Sequence, residues 1–275
     1  KHIFLDEAAF ACMAKTLPLL TVNTPLTLLG DHMQLPPVCE ADEREFAPSN
    51  NTMFFWSQSA LYLESIFNKD LHELKMEYID NVPAKFERII KHNLTSTYRF
   101  GNKLTDTLDN FVYKIGLSSK LGNETNVYYV NVPEPQMRPT RKNGTISRAN
   151  PEEALAIADL SHSIHNDFVV ITPYREQVME ITRNAQELAH NGQIMTIHKS
   201  QGSEWKTVII SVADTSNMWF TNTQKRQTRS LELINTAVSR AKTELIIVCD
   251  YAYWIKQNNQ FITELLKSAK KWQCY

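Results

Sequence analysis

Met195-Thr196-Ile197-His198-Lys199-Ser200-Gln201-Gly202-Ser203-Glu204-Trp205 runs into Thr207-Val208-Ile209-Ile210, and this junction decides the fold. The second piece is apolar and largely β-branched, without polar alternation, as expected of a strand covered on both faces. Runs of the same kind lie on either side. Val169-Val170-Ile171 is followed by Thr172-Pro173-Tyr174, and Leu245-Ile246-Ile247-Val248 ends at Cys249-Asp250. Nearer the start, Ile3-Phe4-Leu5 precedes an acidic pair, and Leu26-Thr27-Leu28-Leu29 precedes Gly30-Asp31. Helical patterns separate the runs. One begins at Asn150-Pro151-Glu152-Glu153, where Asn caps, Pro suits the first turn and the acids favour the N-terminal end. A second is expected over about 176–190, stopping at Asn191-Gly192, and a third over roughly 231–242. The alternation predicts an α/β fold with mostly parallel sheets.

Two groups of strands and helices divide near Lys91 to Thr95, which suggests one domain over 1–92 and another over 93–275. Residues 133–150 are rich in Pro and basic side chains (Arg138, Arg141, Lys142, Arg148) and read as a solvated loop, with a phosphate-contacting loop as the alternative. At 43% hydrophobic and 21% charged, the composition is that of a globular protein. No apolar run approaches the ~18 residues of a membrane span. The start at Lys1-His2-Ile3, without Met or a leader, reads as a cut inside a larger protein. Cys12, Cys39, Cys249 and Cys274 form no C-x-x-C pair, which fits reduced thiols in a cytoplasmic setting, or a nuclear one in a eukaryote. A net charge of −1 supplies no global attraction for nucleic acid, so such binding would need a local groove.

Asp6-Glu7 stands at the expected C-terminal end of a strand, where ligands collect in open α/β sheets. Buried carboxylates are costly unless their charge is used. In P-loop nucleotide hydrolases such an Asp holds Mg²⁺ and a neighbouring acid can act on the attacking water. A plain helix start with N-terminal acids fits the pair equally. Leu28-Leu29-Gly30-Asp31-His32-Met33-Gln34-Leu35-Pro36-Pro37 also follows a strand, with Gly for a tight exit and Pro to stiffen the chain.

With these two segments the sequence resembles the superfamily 1 helicases. Asp6-Glu7-Ala8-Ala9 is similar to their motif II, and the stretch from Gly30 to Pro37 to motif III. Leu94-Thr95-Ser96-Thr97-Tyr98-Arg99-Phe100 is similar to motif IV, Met195–Trp205 to motif V, and Leu233-Ile234-Asn235-Thr236-Ala237-Val238-Ser239-Arg240-Ala241-Lys242 to motif VI. Thr145–Ala154 and Val170–Tyr174 resemble segments common in one branch of the family. The order of the segments covers the chain from Asp6 to Lys242.

The resemblance implies RecA-like parallel sheets with flanking helices, one partial domain and one complete. It implies ATP and Mg²⁺ as cofactors, with Asp6 as the metal ligand, Glu7 beside the attacking water and Gln34 sensing the γ-phosphate. Arg99 and Arg240 would be arginine fingers, a task suited to a planar guanidinium. Gly202 would let the backbone approach the nucleotide and Glu204 would accept a hydrogen bond from ribose. Thr172, Pro173, Thr196 and His198 would meet a single strand of DNA or RNA, through contacts that carry no sequence information. Trp205 would have a core role. The short spacing from Arg99 to Thr196 is similar to the branch that includes the nonsense-mediated-decay helicase and its DNA-processing relatives. The motif V string is also similar to the exonuclease V α-subunit. Both imply 5′-to-3′ movement.

Each segment alone has a plain structural reading: a surface arginine, a strand end, a cap. The family also needs G-x-x-x-x-G-K-[ST]. None of Gly30, Gly101, Gly116, Gly122, Gly144, Gly192 and Gly202 is followed by Lys-Ser or Lys-Thr. The phosphate-binding loop would therefore come from a preceding segment, and this chain alone would hydrolyse ATP very slowly. Two alternatives remain: a non-hydrolysing nucleic-acid-binding or regulatory module derived from such a motor, and a motor fused to a nuclease.

Overall fold

The computed structural model describes residues 1–21, 24–37, 59–62, 92–133, 136–142, 145–215 and 229–273. The chain divides into two compact units, Lys1–His92 and Asn93–Tyr275. Among the described residues no helix is long and apolar enough to cross a membrane. Cys249 is a buried free thiol, Cys12 is half-buried, and Cys39 and Cys274 lie outside the described residues.

In the first unit β1 (Ile3–Leu5) lies parallel to β2 (Leu26–Leu28), with Ile3 opposite Leu26 and Leu5 opposite Leu28. One side of the pair packs on Ala8, Met13 of the short helix α1 (Met13–Thr16), and Ala60. Among the described residues, coverage is not two-sided here, against expectation. Phe4 is 67% exposed and stacks on His2 at 4.5 Å. The alternation of side chains along a strand puts Phe4 on the face away from that cluster.

The second unit opens with a small parallel pair, β3 (Ser96–Thr97) and β4 (Ser118–Ser119), on either side of helix α2 (Asn102–Leu108). Its main sheet has six strands: β5 (Asn126–Asn131), β8 (Phe168–Thr172), β9 (Ile194–Thr196), β10 (Trp205–Ser211), β11 (Ala241–Cys249) and β12 (Lys270–Lys271). The order is β12-β5-β11-β10-β8-β9, and every pairing is parallel. The central strands are buried as their apolar runs require, from Phe168 to Thr172, Thr207 to Ser211 and Leu245 to Cys249. The α/β class with a parallel sheet is thus as expected.

Helix α3 (Pro151–Ser161) starts as its sequence dictates, with Asn150 Oδ1 accepting from the Glu153 amide at 3.2 Å and Pro151 in the first turn. Ala154, Ile157 and Leu160 join Ile209, Ile246 and Val248 in the core. Full burial of one such aliphatic side chain contributes about 1.5–3 kcal/mol. Helix α8 (Phe261–Ser268) buries Phe261, Ile262, Leu265 and Leu266, and Lys270-Lys271 then adds the edge strand.

Three expectations change. The span 133–150 is not all loop: β6 (Arg138–Lys142) and β7 (Thr145–Ala149) form an antiparallel hairpin. The helix expected over 176–190 is two helices, α4 (Arg175–Asn184) and α5 (Gln186–His190), parted at Ala185 with φ −137° and ψ 68°. Asn184 Nδ2 donates to the Glu180 carbonyl at the break, the kind of local bond that competes with helix continuation. Helix α6 spans Ser230–Val238 and does not reach Lys242. Ala241 is already in β11, opposite Trp205, so ladder pairing overrides the helical propensity of Arg-Ala-Lys. Among the described residues this unit also has short helical turns at Asp109–Tyr113 and Ile197–Ser200, and α7 (Tyr251–Trp254), capped by Asp250 Oδ1.

Candidate nucleotide and nucleic-acid sites

In the first unit the parallel strands bring their C-terminal ends together. Asp6 and Glu7 leave β1 exposed, and Asp6 Oδ1 accepts from the Glu7 amide at 2.9 Å. Glu7 has φ 53°, a left-handed conformation that turns the chain sharply at the strand end. The Ala8 amide donates to the Leu29 carbonyl at 2.8 Å, which ties this turn to the exit of β2. A Cβ on Gly30 would stand 2.7 Å from the Ala9 nitrogen, so only glycine fits. Beyond it, Gln34 Nε2 donates to Asp31 Oδ2 at 3.1 Å and the Met33 amide to Asp31 Oδ1 at 2.9 Å. Among the described residues no group of three or more His, Cys, Asp or Glu is set to hold a metal. An exposed Asp beside a Glu still fits Mg²⁺, which is usually held by one or two carboxylates together with substrate phosphates.

In the second unit three distant segments meet at Glu204, the residue just before β10. Arg99 Nε donates to Glu204 Oε2 at 2.8 Å, and Lys242 Nζ lies 2.5 Å from Glu204 Oε1. Arg99 Nη1 also reaches the Ser239 carbonyl at 3.4 Å. Lys242 above all, with Arg99 beside it, holds the Glu204 carboxyl below the usual range, against some desolvation. Gly202, two residues earlier, has φ 78° and open space where a Cβ would stand. Arg240 is placed differently from Arg99. It is 2% exposed, with Nε donating to the Thr236 carbonyl at 3.0 Å and Nη1 to the Ser203 carbonyl at 3.2 Å. Its guanidinium therefore joins the end of α6 to the turn that carries Glu204. Trp205 is half-buried at the start of β10.

Thr172 and Thr196 end the adjacent strands β8 and β9 and face each other in register. Thr172 is fully buried, and its hydroxyl has no hydrogen-bond partner among the described residues. Pro173 and Thr196 are partly exposed and His198 is exposed. Desolvation, and then the Arg175 guanidinium, hold the His198 ring below its usual pKa, so it is neutral near pH 7. The ring can then donate or accept a hydrogen bond without carrying charge.

A buried polar network lies deeper in this unit, signalled in the sequence by nothing beyond the Asn150 cap. Glu153 Oε2 accepts from Ser211 Oγ at 2.7 Å and from the Ala213 amide at 2.9 Å; Oε1 accepts from Asn150 Nδ2 at 3.2 Å. Burial pushes the Glu153 carboxyl up to about 8, with Asp214 adding to the rise and the Ala213 and Ser211 bonds opposing it. Gln177 joins by bonding Ser211 and Asn150. Arg148, assigned above to a solvated loop, is 8% exposed. Its Nη1 pairs with Asp214 Oδ1 at 2.6 Å, an oxygen that also accepts from Tyr174 Oη at 2.6 Å. A buried carboxylate 66 positions away in sequence draws the guanidinium inward. Lys242 was likewise present in the motif VI-like string without a role of its own.

Residues 83–252 match the family described as AAA domain (AAA_12). The chain is 26% identical over 281 residues to the mouse protein named 3′-5′ exoribonuclease HELZ2, covering 91% of this chain and 9% of that protein. It is 24% identical to the uncharacterized ATP-dependent helicase MJ0104 of Methanocaldococcus jannaschii, covering 98% of this chain and 38% of that protein. The chain thus spans well under half the length of these relatives. A solved structure of the PRRSV helicase aligns with 91% of this chain and 35% of its own, at 21% identity and a TM-score of 0.48.

Proposed function

The chain belongs to the family described as AAA domain (AAA_12), and on that premise we propose that it is part of a superfamily 1 helicase, supplying part of an ATP-driven motor that moves 5′ to 3′ along single-stranded nucleic acid. Residues 1–92 form the second half of a first RecA-like domain, and 93–275 a second, complete one. The observation that carries the reading is the bond between Arg99 and Glu204. They stand 105 positions apart, with the Ser239 carbonyl beside them, so the motif IV-, V- and VI-like segments converge on one place.

In this reading Glu204 accepts a hydrogen bond from the ribose of ATP, and Gly202 lets the backbone come close to it. Asp6 holds Mg²⁺, which neutralises charge on the phosphates when bound. Glu7 takes a proton from the attacking water, and Gln34 reports the γ-phosphate to the rest of the chain. Arg99 leaves Glu204 to stabilise charge on the transferring phosphoryl group, and Arg240, buried in the present conformation, acts with it once uncovered. Thr172, Pro173, Thr196 and His198 meet the backbone of the single strand. Thr172 must be uncovered to do so, because its hydroxyl is buried in the present conformation. The phosphate-binding loop comes from residues outside this chain.

The test is ATP turnover by the full-length protein with single-stranded DNA or RNA. Arg99→Ala is expected to lower kcat by about 10³-fold or more, the scale of arginine fingers elsewhere. Near-wild-type turnover by that variant rejects the role. Unwinding of duplexes with only a 3′ overhang rejects the polarity.

A further inference from the structure

The two cations on Glu204 are not equivalent. Lys242 belongs to the nine-residue strand β11, within the main sheet. Its own carbonyl accepts from Thr125 Oγ1 at 2.7 Å, and the next residue, Thr243, bonds the Lys206 carbonyl at 2.8 Å. Glu204 is fixed to the same frame, because the Trp205 amide donates to the Arg240 carbonyl at 3.0 Å and Trp205 is in register with Ala241. Glu204, just before β10, and Lys242, just after Ala241 in β11, are therefore held close together at the same end of this parallel ladder. Arg99 comes from a loop instead, just past the two-residue strand β3, next to a Tyr98 that is 74% exposed. Each cation takes one carboxylate oxygen, Lys242 on Oε1 and Arg99 on Oε2.

We propose that Lys242 is a positioning residue for the nucleotide site: it keeps Glu204 aimed at the ribose when Arg99 departs for the phosphates. The proposal rests on the reading of Glu204 as the ribose acceptor. A carboxylate has about four acceptor positions, so the oxygen that Arg99 vacates can take a sugar hydroxyl while Lys242 holds the other. Without Lys242, Arg99 is the charged partner left to Glu204 among the described residues. The carboxylate then either loses its orientation or retains the arginine that the phosphates need. Lysine suits the fixed position, being a compact charge with three donors on a flexible stem.

The experiment compares kcat/KM of the full-length protein for ATP with that for 2′-deoxy-ATP and 3′-deoxy-ATP. It uses the wild type, Lys242→Ala, Lys242→Arg and Glu204→Ala. The wild type is expected to prefer ATP over at least one deoxy analogue by about tenfold or more, the scale of a hydrogen bond to a charged group. Lys242→Ala is expected to bring that preference close to one, with a larger rise in KM than fall in kcat. Lys242→Arg is expected to restore the preference. A ribose preference intact in Lys242→Ala but lost in Glu204→Ala overturns the proposal and leaves the role of Glu204 standing. A preference that survives Glu204→Ala overturns the ribose reading itself, and the proposal with it. The Lys242 side chain is 41% exposed, so its truncation leaves the core intact.

Discussion

Glu153 and Glu204 lie in the same unit and carry the same group, yet their surroundings act in opposite directions. Glu153 is wholly buried, bonded to Ser211, Ala213 and Asn150, and its carboxyl rises to about 8. Glu204 is partly exposed, held between Lys242 and Arg99, and its carboxyl falls below the usual range. Hydrogen bonds from neutral groups do not offset the desolvation of a buried carboxylate, whereas two cations at the surface more than offset a mild one. The first glutamate takes up a proton on folding and organises the interior. The second keeps its charge and stays available to a ligand.

The comparison breaks most clearly at Glu153. Replacing it by Ala leaves the Ser211 hydroxyl, the Ala213 amide and the Asn150 side chain without their acceptor, and is expected to cost about 2–4 kcal/mol in denaturant unfolding. A loss under about 1 kcal/mol would mean that water replaces the carboxyl and that the network is not a structural unit. The next effect is on pH dependence. The folded carboxyl near 8 stands above its ordinary 4.5, so between these values the native state holds a proton that the unfolded chain has released. Its contribution is full below pH 4.5 and is lost as pH rises toward 8, at about 1.4 kcal/mol per unit. Unfolding curves at pH 5 to 8 should show this slope, and Glu153→Gln should flatten it; an equal slope in both proteins contradicts the buried proton. The smallest effect is at Glu204. Its ion pairs are exposed, so Glu204→Gln should change stability at neutral pH by less than about 1 kcal/mol. What it does contribute is lost as pH falls through its lowered pKa. A change above 2 kcal/mol would make Glu204 a structural residue and remove the contrast.

The main sheet was legible because its central strands are apolar runs with no competing period. Val169-Val170-Ile171, Thr207–Ile210 and Leu245–Val248 read as buried strands and are buried strands. The helix over Pro151–Ser161 was legible from its cap. Elements set by tertiary pairing were harder to see. Ala241 and Lys242 have good helical propensity, and their place in β11 comes from the ladder with β10. The hairpin of β6 and β7 was also hard to see, because Arg138-Pro139-Thr140-Arg141-Lys142 has Pro and Lys where strands favour β-branched and aromatic residues. At the candidate site, Arg99, Gly202 and Glu204 could be named from motif order. The burial of Arg240, Arg148 and Thr172 could not, because each depends on partners or coverings from other segments. Lys242 is illegible for the same reason: its significance lies in a distance to Glu204, and a string of residues carries no distances.

The strand order has a consequence for how the protein is made. β5 is the first strand of the main sheet to be synthesised, but its neighbours are β11 and β12, the last two. Val127 waits for Leu245 and Tyr128 waits for Lys270. At about 5–20 residues per second, the interval is on the order of ten seconds. During it a nascent chain displays an unpaired strand, with Tyr128 and Tyr129 at its centre, to every other chain nearby. Such an open edge is a template for wrong pairing. The newborn protein is at its most vulnerable while the ribosome still holds the two strands that will close it.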